Sequence, residues 1–299
     1  MPVLAALYRS PEENRKRGHR HKTACDLMRQ LLYVLLRWFP QRKFVFSGDG
    51  GFGTPPLARF AARQARLALV SKFYQAANFH HPRPQRKAGT QDRPRIQGHK
   101  QASPEAIVAQ TRGRQRLNVS WYGGGRRQVA LVTGTGHWDK SGAGLVPVRW
   151  VFVEDLTGTH RDEYLFTTDT QLTPREIIEA DTGRWAIEVM FEEVREHVGL
   201  ETTRGRCAQT ILRAEPCLFG LSPLMALGFS ELPEHDCREP AVTWTGSIKQ
   251  TLTYSHAITL VRRHLWRNGV MESPHHATAF QKLTPTEKQA TLTPLTQAM

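Results

Sequence analysis

Alternating helical and extended segments near the amino terminus constrain the fold of this 299-residue chain most strongly. Residues His21–Trp38 carry apolar side chains at helical spacing. Apolar strands are then predicted at Lys43–Ser47 and Leu67–Lys72, on either side of a helix over Pro56–Arg66. A helix between two buried strands is typical of an α/β fold, so the sequence predicts a sheet with helices packed against it.

Asp49 lies just after the first of these strands, at the carboxyl end where open α/β sheets place their ligands. The run Gly48–Gly53 also fits the glycine pattern of a dinucleotide-binding loop between a strand and a helix. Such a loop needs an acid about twenty residues later to bind the ribose, but no Asp or Glu occurs between Gly50 and Gln91. A simple glycine turn is the third interpretation, and it ranks above the cofactor loop.

A second acid, Glu188, lies in a predicted helix that starts at the capping box Thr173–Glu176 and runs to about Val198. Steps of four and seven residues place Arg184, Glu188 and Arg195 on one face of that helix. This arrangement favours metal-assisted phosphoryl chemistry, because a carboxylate can hold a divalent cation while guanidinium groups bind phosphate. The alternative is an ordinary surface pair of opposite charges four residues apart.

The residues around Glu188 resemble those of DDE-type insertion-sequence transposases. In that family the last catalytic acid lies in the pattern Tyr, two residues, Arg, three residues, Glu, six residues, Lys. Arg184 and Glu188 match this pattern, Arg195 keeps the charge of the Lys, and Asp181 replaces the Tyr. The likeness extends over almost the whole chain and includes Gly48-Asp49-Gly50, Gly98–Pro104 and Tyr254–Trp266.

The resemblance implies an α/β fold with an RNase H-like mixed sheet, flanked by helices and interrupted by an antiparallel β insertion. It also implies that Asp49 and Glu188 are catalytic and hold Mg²⁺ or Mn²⁺, and that Arg184 and Arg195 bind DNA phosphates. The separation of 139 residues between the two acids leaves room for the insertion. The complete protein is therefore expected to cleave and transfer DNA strands at insertion-sequence ends.

The family's first catalytic aspartate has no counterpart in this sequence. That residue belongs to the opening strand of the RNase H-like sheet, whereas Met1 enters at what resembles the third strand. The acids before Asp49 are Glu12 and Glu13, in a predicted charged loop, and Asp26, in a helical pattern. The resemblance thus implies an amino-terminally truncated and inactive chain. A non-catalytic DNA-binding remnant or regulator is the alternative function.

The distribution of charge indicates a nucleic-acid partner independently of the resemblance. The formal net charge is +14 and the isoelectric point is about 10.1. Between His81 and Arg127 there are eleven Lys and Arg residues but only two acids. The expected contacts to double-stranded DNA are the arginines near Trp121 and Tyr122, since aromatic rings among cations favour nucleic acid; they are Arg112, Arg114, Arg116, Arg126 and Arg127. A solvated basic loop is the alternative.

Four regions are predicted along the chain. Residues 1–78 form the first part of the RNase H-like core, and 79–168 form a basic loop followed by the β insertion. Residues 169–235 return to the core with the helix that carries Glu188, and 236–299 form a helical carboxyl-terminal region. The loop is expected from about Phe79 to Gln115, where proline and arginine are frequent and apolar periodicity is absent.

The cysteines and the apolar segments indicate the cellular compartment of the protein. Four scattered cysteines without a Cys-x-x-Cys pair predict reduced thiols rather than a zinc site or a disulfide framework. No signal peptide or membrane span is predicted, so we expect a cytoplasmic protein. A homodimer is one of the assemblies that the sequence leaves open.

Overall fold

The computed structural model describes residues 4–84, 97–140, 144–201, 207–237, 253–271 and 277–296. The chain divides into two compact units. The first, called the sheet unit, is Tyr8–Ala186. The second, called the helical unit, is Met1–Leu7 together with Ile187–Met299.

The sheet unit contains the strands and the first five helices. Its strands are β1 Phe44–Ser47, β2 Leu67–Lys72, β3 Phe79–His80, β4 Gln115–Ser120, β5 Arg126–Lys140, β6 Gly144–Asp155 and β7 Glu163–Thr167. Its helices are α1 Pro11–Lys16, α2 Ala24–Trp38, α3 Pro55–Ala62, α4 Pro104–Gln110 and α5 Pro174–Gly183.

These strands form one mixed sheet in the order β1-β2-β7-β6-β5-β3, with β4 paired to β5 beside β3. Strands β1 and β2 are parallel and are joined by α3, which supplies the crossover that a parallel pair requires. The other pairs are antiparallel. The predicted strand–helix–strand unit and the antiparallel β insertion are therefore confirmed, and the architecture is consistent with an RNase H-like fold.

Each face of the sheet carries its own hydrophobic core because side chains alternate along a strand. On β2, Leu69 belongs to the core beneath α2 and α3, whereas Val70 belongs to the core beneath α5. Ile177 and Ile178 of α5 are almost completely buried in the second core. Each such side chain contributes about 1.5–3 kcal/mol when fully buried, so α5 is held firmly on the sheet.

The helical unit contains α6 from Ile187 onward and the remaining helices. They are α6 Ala186–His197, α7 Ala208–Ser230, α8 Glu234–Cys237, α9 Tyr254–Leu265, α10 Ala277–Gln281 and α11 Pro285–Thr296. Helix α9 contacts both α7 and α11, and Ile258 and Leu292 are buried. None of the helices in the described ranges is long and apolar enough to cross a membrane.

Three predictions about helices need correction. The first concerns Glu12 and Glu13, which lie in helix α1 and not in a charged loop, because Ser10 caps that helix through the Glu13 amide. The segment expected to be a long loop, Phe79–Gln115, contains the short strand β3 and helix α4, which Ser103 caps through the Ala106 amide. This helix is only seven residues long, too short to show a clear apolar period. Part of the same segment, residues 85–96, lies outside the described ranges.

The helix predicted from Thr173 to Val198 is in fact two helices, α5 and α6. The capping box Thr173–Glu176 starts α5 as expected. The helix then ends at Gly183, and the next two amides bond to carbonyls three residues back, from Arg184 to Asp181 and from Trp185 to Thr182. Such bonds tighten and close a last helical turn.

Candidate active site and its surroundings

Asp49 lies two residues beyond the end of β1, in a loop that hydrogen bonds hold in place. The Gly48 amide donates to the Val70 carbonyl at 2.9 Å, and the buried Ser71 hydroxyl donates to the Asp49 carbonyl at 2.7 Å. The Gly51 amide donates to Asp49 Oδ1 at 2.9 Å. The backbone of Asp49 is thus fixed to β2, while its side chain is exposed at the carboxyl edge of the parallel strands.

Two of the four glycines of this loop are explained by close packing. A Cβ atom on Gly53 would lie 2.0 Å from the Lys72 carbonyl oxygen, and one on Gly48 would lie 2.7 Å from Phe52 Cβ. Neither site has room for a side chain. Strand β2 has antiparallel β7 as its other neighbour, so the described sheet does not continue as the parallel second half of a dinucleotide-binding fold. These contacts favour the turn interpretation over the cofactor loop.

A lysine and a second acid lie beside the Asp49 loop. Lys72 ends β2, and its Nζ is 2.5 Å from Glu163 Oε1 at the start of β7. The Lys72 Cβ would be 3.9 Å from a Cβ placed on Gly50. The sequence did not indicate Glu163, because it reaches this edge only through the antiparallel pairing of β7 with β2.

The three residues expected on one helix face do not share a continuous helix. Arg184 is the carboxyl-terminal cap of α5, in the sheet unit. Glu188 is exposed in the first turn of α6 and Arg195 lies in its last turn, both in the helical unit. Arg195 Nε is 3.0 Å from Glu201 Oε2. Asp49 and Glu188 belong to different units, and their approach to one another stays a prediction.

Asp181, which stands where the family pattern has Tyr, is buried inside the sheet unit. Asp181 is only 1% exposed, and the neighbouring Thr182 hydroxyl donates to the Ser120 carbonyl at 3.1 Å. The end of α5 is therefore anchored to β4. We attribute the end of α5 to these contacts, because they fix its last turn against the sheet.

The donor set expected for a divalent metal consists of carboxylates, which suit Mg²⁺ and Mn²⁺ because these ions prefer oxygen ligands. Asp49 and Glu188 are both exposed and so can reach an ion. Within the described ranges, no three His, Cys, Asp or Glu side chains are grouped closely enough to hold a metal. Each unit therefore presents one of the two expected ligands.

The five arginines expected to bind DNA differ in their surroundings. Arg114 pairs with Glu154 and lies over the Phe152 ring, with Cζ 5.0 Å from the ring centroid. Arg127 pairs with Asp155 at 2.8 Å and is one-quarter exposed. The other three are exposed to solvent; they are Arg112, Arg116 and Arg126.

Asp155 organises the loop that follows β6. Its side chain is fully buried and accepts backbone N–H bonds from Thr157, Thr159 and His160, each 3.1 Å long. Burial alone would raise the pKa of this carboxyl, but the hydrogen bonds from Thr157, Thr159 and His160 hold the pKa well below its usual range. Asp155 is thus a structural anion that fixes Arg127 and the loop.

An aromatic cavity of about 280 Å³ lies next to this loop. Tyr122 stacks on His160 with centroids 5.1 Å apart, and Trp121 meets the same imidazole edge-on at 5.4 Å. Trp185 lies near Tyr122, with 6.5 Å between ring centroids. The aromatic pair noted in the sequence beside Arg126 and Arg127 therefore lines a cavity between the β insertion and the end of α5.

Comparison with known families decides the identity. Residues 5–128 match the DDE superfamily endonucleases, and residues 145–207 match the archaeal ISC1217 transposase family. Both matches support a DDE-type insertion-sequence transposase. The first matched segment includes Asp49, and the second includes Glu188. A comparison with curated proteins found no match.

Proposed function

We propose that this transposase binds double-stranded DNA at insertion-sequence ends, with Asp49 and Glu188 as metal ligands and Arg184 and Arg195 as phosphate contacts. The observation that supports this most is the Asp49 loop. Its backbone is bonded to the buried Ser71 while its carboxylate is exposed at the ligand-binding edge of the sheet. The Gly51 amide holds Oδ1 in place, and the exposed carboxylate can still coordinate an ion.

The family's divalent metal would supply an activated water or DNA 3′ hydroxyl and would stabilise the leaving oxygen. The protein's own contribution is positional. The bonds from Gly48 and Ser71 fix where the Asp49 backbone lies, so little ordering is needed when DNA arrives. Arginine suits the phosphate role because its planar guanidinium group can form two hydrogen bonds to a phosphate.

The acids upstream of Asp49 favour the second candidate function, a DNA-binding protein without catalysis. Glu12 pairs with Lys16 at 2.9 Å and Glu13 with Arg17 at 2.5 Å, both within or next to α1. Asp26 forms the capping box of α2 with Thr23. None of these three acids follows a strand, so we propose that the 299-residue chain does not cleave DNA.

DNA binding is assigned to the basic segment between Arg83 and Arg127, with the three exposed arginines as its leading contacts in the described ranges. The predicted regions 79–168 and 169–235 then correspond to a DNA-binding insertion and a core part that carries Glu188. The excess charge of this segment explains why the whole chain reaches +14. Phosphate contacts of this kind release counterions and make binding sensitive to salt.

The test is a binding titration with duplex DNA at several salt concentrations. Changing Arg112, Arg116 and Arg126 together to Ala should lower the slope of log affinity against log salt by about three, because each lost phosphate contact removes about 0.9. In the control variant, Arg29, Arg37 and Arg63 become Ala, so that the control and the test variant have the same net charge. Equal slopes in both variants would show that the segment is a solvated surface.

Incubation of the purified chain with Mg²⁺ or Mn²⁺ and DNA carrying its element ends separates the two functions. We expect binding without cleaved or joined products. Products that disappear in the Glu188→Gln variant would instead establish a catalytic transposase. Absence of any salt-sensitive binding would reject both functions.

A further inference from the structure

Strands β4 and β5 continue as a two-stranded ribbon beyond the end of β6. Strand β6 ends at Asp155, which pairs with Val129 of β5. Beyond that point, within the described residues, Arg126–Gln128 of β5 pair only with Asn118–Ser120 of β4. We call the paired residues Gln115–Ser120 and Arg126–Leu131 the β4–β5 ribbon.

The two faces of the ribbon differ. Its odd-numbered face packs into the protein, because Val119 and Val129 are buried in the core beneath α5 and Arg127 is tied to Asp155. Its even-numbered face includes five exposed polar side chains: Arg116, Asn118, Ser120, Arg126 and Gln128. Ala130, also even-numbered, marks the buried end of this face.

The chemistry of the exposed face is that of a DNA-reading surface. It has two cations, two amides and a hydroxyl, and neither strand carries an acid there, since Asp139 of β5 is odd-numbered. Asn118 and Gln128 are direct cross-strand partners, so their side chains stand next to each other. The nearest acid on the even-numbered side of β6 is Glu154, which Arg114 neutralises.

We infer that the even-numbered face of the β4–β5 ribbon lies in the major groove of duplex DNA. Asn118 and Gln128 read base edges there, and Arg116 and Arg126 hold the flanking phosphates. This rests on the proposed DNA binding of the transposase and adds the element and the residues that select sequence.

The dimensions support this placement. Paired strands are about 4.8 Å apart, and the major groove of B-DNA is about 12 Å wide and admits a two-stranded ribbon. Asn and Gln side chains can each form two hydrogen bonds to adenine in that groove, which is the most informative contact an amide can make. The partner is therefore duplex DNA rather than duplex RNA, whose major groove is too deep and narrow for side chains to read.

The end of the ribbon also permits close approach to DNA. The backbone amide of Trp121 donates to the Gly125 carbonyl at 2.8 Å, and this bond closes the hairpin. Gly123 and Gly124 have positive φ angles of 71° and 80°, and a Cβ on Gly124 would meet no atom within 4 Å. Two left-handed residues make a tight turn that only glycine adopts readily, and the tip therefore adds little bulk beside a phosphate backbone.

The experiment begins by selecting preferred sequences from duplexes with a randomised centre, using the full 299-residue chain. Affinities for the selected duplex and a scrambled duplex are then compared for Asn118→Ala and Gln128→Ala. Each variant should lose about tenfold in preference for the selected duplex while its salt slope stays unchanged. The control is Gln115→Ala, an exposed amide on the odd-numbered face of the same strand.

Arg116→Ala with Arg126→Ala should weaken binding to both duplexes equally and lower the salt slope by about two. Circular dichroism confirms that each variant is folded. Salt-sensitive binding with no selected sequence, or full preference in Asn118→Ala and Gln128→Ala, would overturn the ribbon assignment while leaving DNA binding intact. Loss of preference in Gln115→Ala alone would place the reading face on the other side. No DNA binding at all would reject the proposed function itself.

Discussion

At the scale of single residues, contacts of a few side chains decide whether a position is structural or available for chemistry. Asp49 and Asp155 both lie near the end of a strand, because Asp155 ends β6 and Asp49 lies two residues beyond β1. Asp155 is fully buried and satisfied by its own loop, whereas Asp49 keeps an exposed side chain above a fixed backbone. Only the second arrangement leaves a carboxylate for a metal ion or a substrate.

The Gly53→Ala substitution should displace the Asp49 loop. Its Cβ would lie 2.0 Å from the Lys72 carbonyl oxygen, a backbone atom that cannot turn aside. We expect a loss of about 1–3 kcal/mol in the free energy of unfolding, as for other overpacked sites. Denaturant titration followed by tryptophan fluorescence measures it. The control is Gly50→Ala, whose nearest contact would be 3.9 Å away; equal losses in both variants would contradict the argument.

Asp155 should make the stability of the sheet unit depend on acid pH. The pKa of Asp155 in the folded protein is below its value in the unfolded chain, which is about 3.9. The charged carboxylate therefore stabilises the fold above that unfolded pKa, and this stabilisation is lost as the pH falls from there towards the folded pKa. Asp155→Asn should cost about 2–3 kcal/mol near neutral pH, because hydrogen bonds to a buried charge are lost, and should flatten the acid dependence.

Denaturant titrations between neutral and acid pH check this prediction. Asp162 is a useful control because its pKa is raised, first by burial and then by Glu154. Asp162→Asn should not lower the stability near neutral pH. An Asp155→Asn variant with the same acid dependence as the parent chain would show that another carboxylate is responsible.

At the scale of elements, local sequence signals and contacts with other elements both determine the bounds of a helix. The capping box at Thr173 starts α5 as a local rule predicts. Its end is set by the burial of Asp181 and by the Thr182 bond to β4, neither of which follows from helical spacing. Arg184 and Glu188 are therefore spaced like helix neighbours in the sequence but lie on opposite sides of a helix break.

Gly183→Ala tests whether glycine or the sheet ends α5. A Cβ at this exposed helical position would meet no atom within 4 Å. We expect stabilisation by about 0.5–1 kcal/mol, since Ala is the better helix former, with the break retained. Unfolding titrations measure the gain, and far-ultraviolet circular dichroism reports any added helix. A clear rise in helix content would assign the break to Gly183 instead of to the anchors.

At the scale of the whole molecule, the proposed metal site needs a carboxylate from each unit. Asp49 belongs to the sheet unit and Glu188 to the helical unit. A metal site shared by the two carboxylates needs oxygens about 2 Å from each ion and two ions about 4 Å apart. We therefore expect Asp49 and Glu188 to lie within several ångströms of each other in the DNA-bound protein.

Spin labels test this expectation directly. The four native cysteines are replaced by Ser, and labels are attached to new cysteines at the exposed positions 50 and 192, so that both carboxylates stay in place. Position 192 lies one helical turn from Glu188 in α6. Dipolar broadening of the electron spin resonance lines in the presence of DNA and Mg²⁺ is the expected result. Labels at 50 and 163 provide the positive control, since Lys72 contacts both positions at one sheet edge. Unbroadened lines for the pair 50 and 192 alone would contradict the shared metal site.

The sequence by itself determined the local elements of this protein and its family. Apolar periods located α2, β1, α3 and β2, and the family pattern singled out Asp49 and Glu188, because these signals are carried by residues that are close along the chain. Only the tertiary structure decided that Glu163 joins the Asp49 edge, that Arg127 is tied to Asp155, and that Asn118 stands beside Gln128. Strand pairing and burial bring those residues together, and the spacing of residues along a sequence does not record which strands pair.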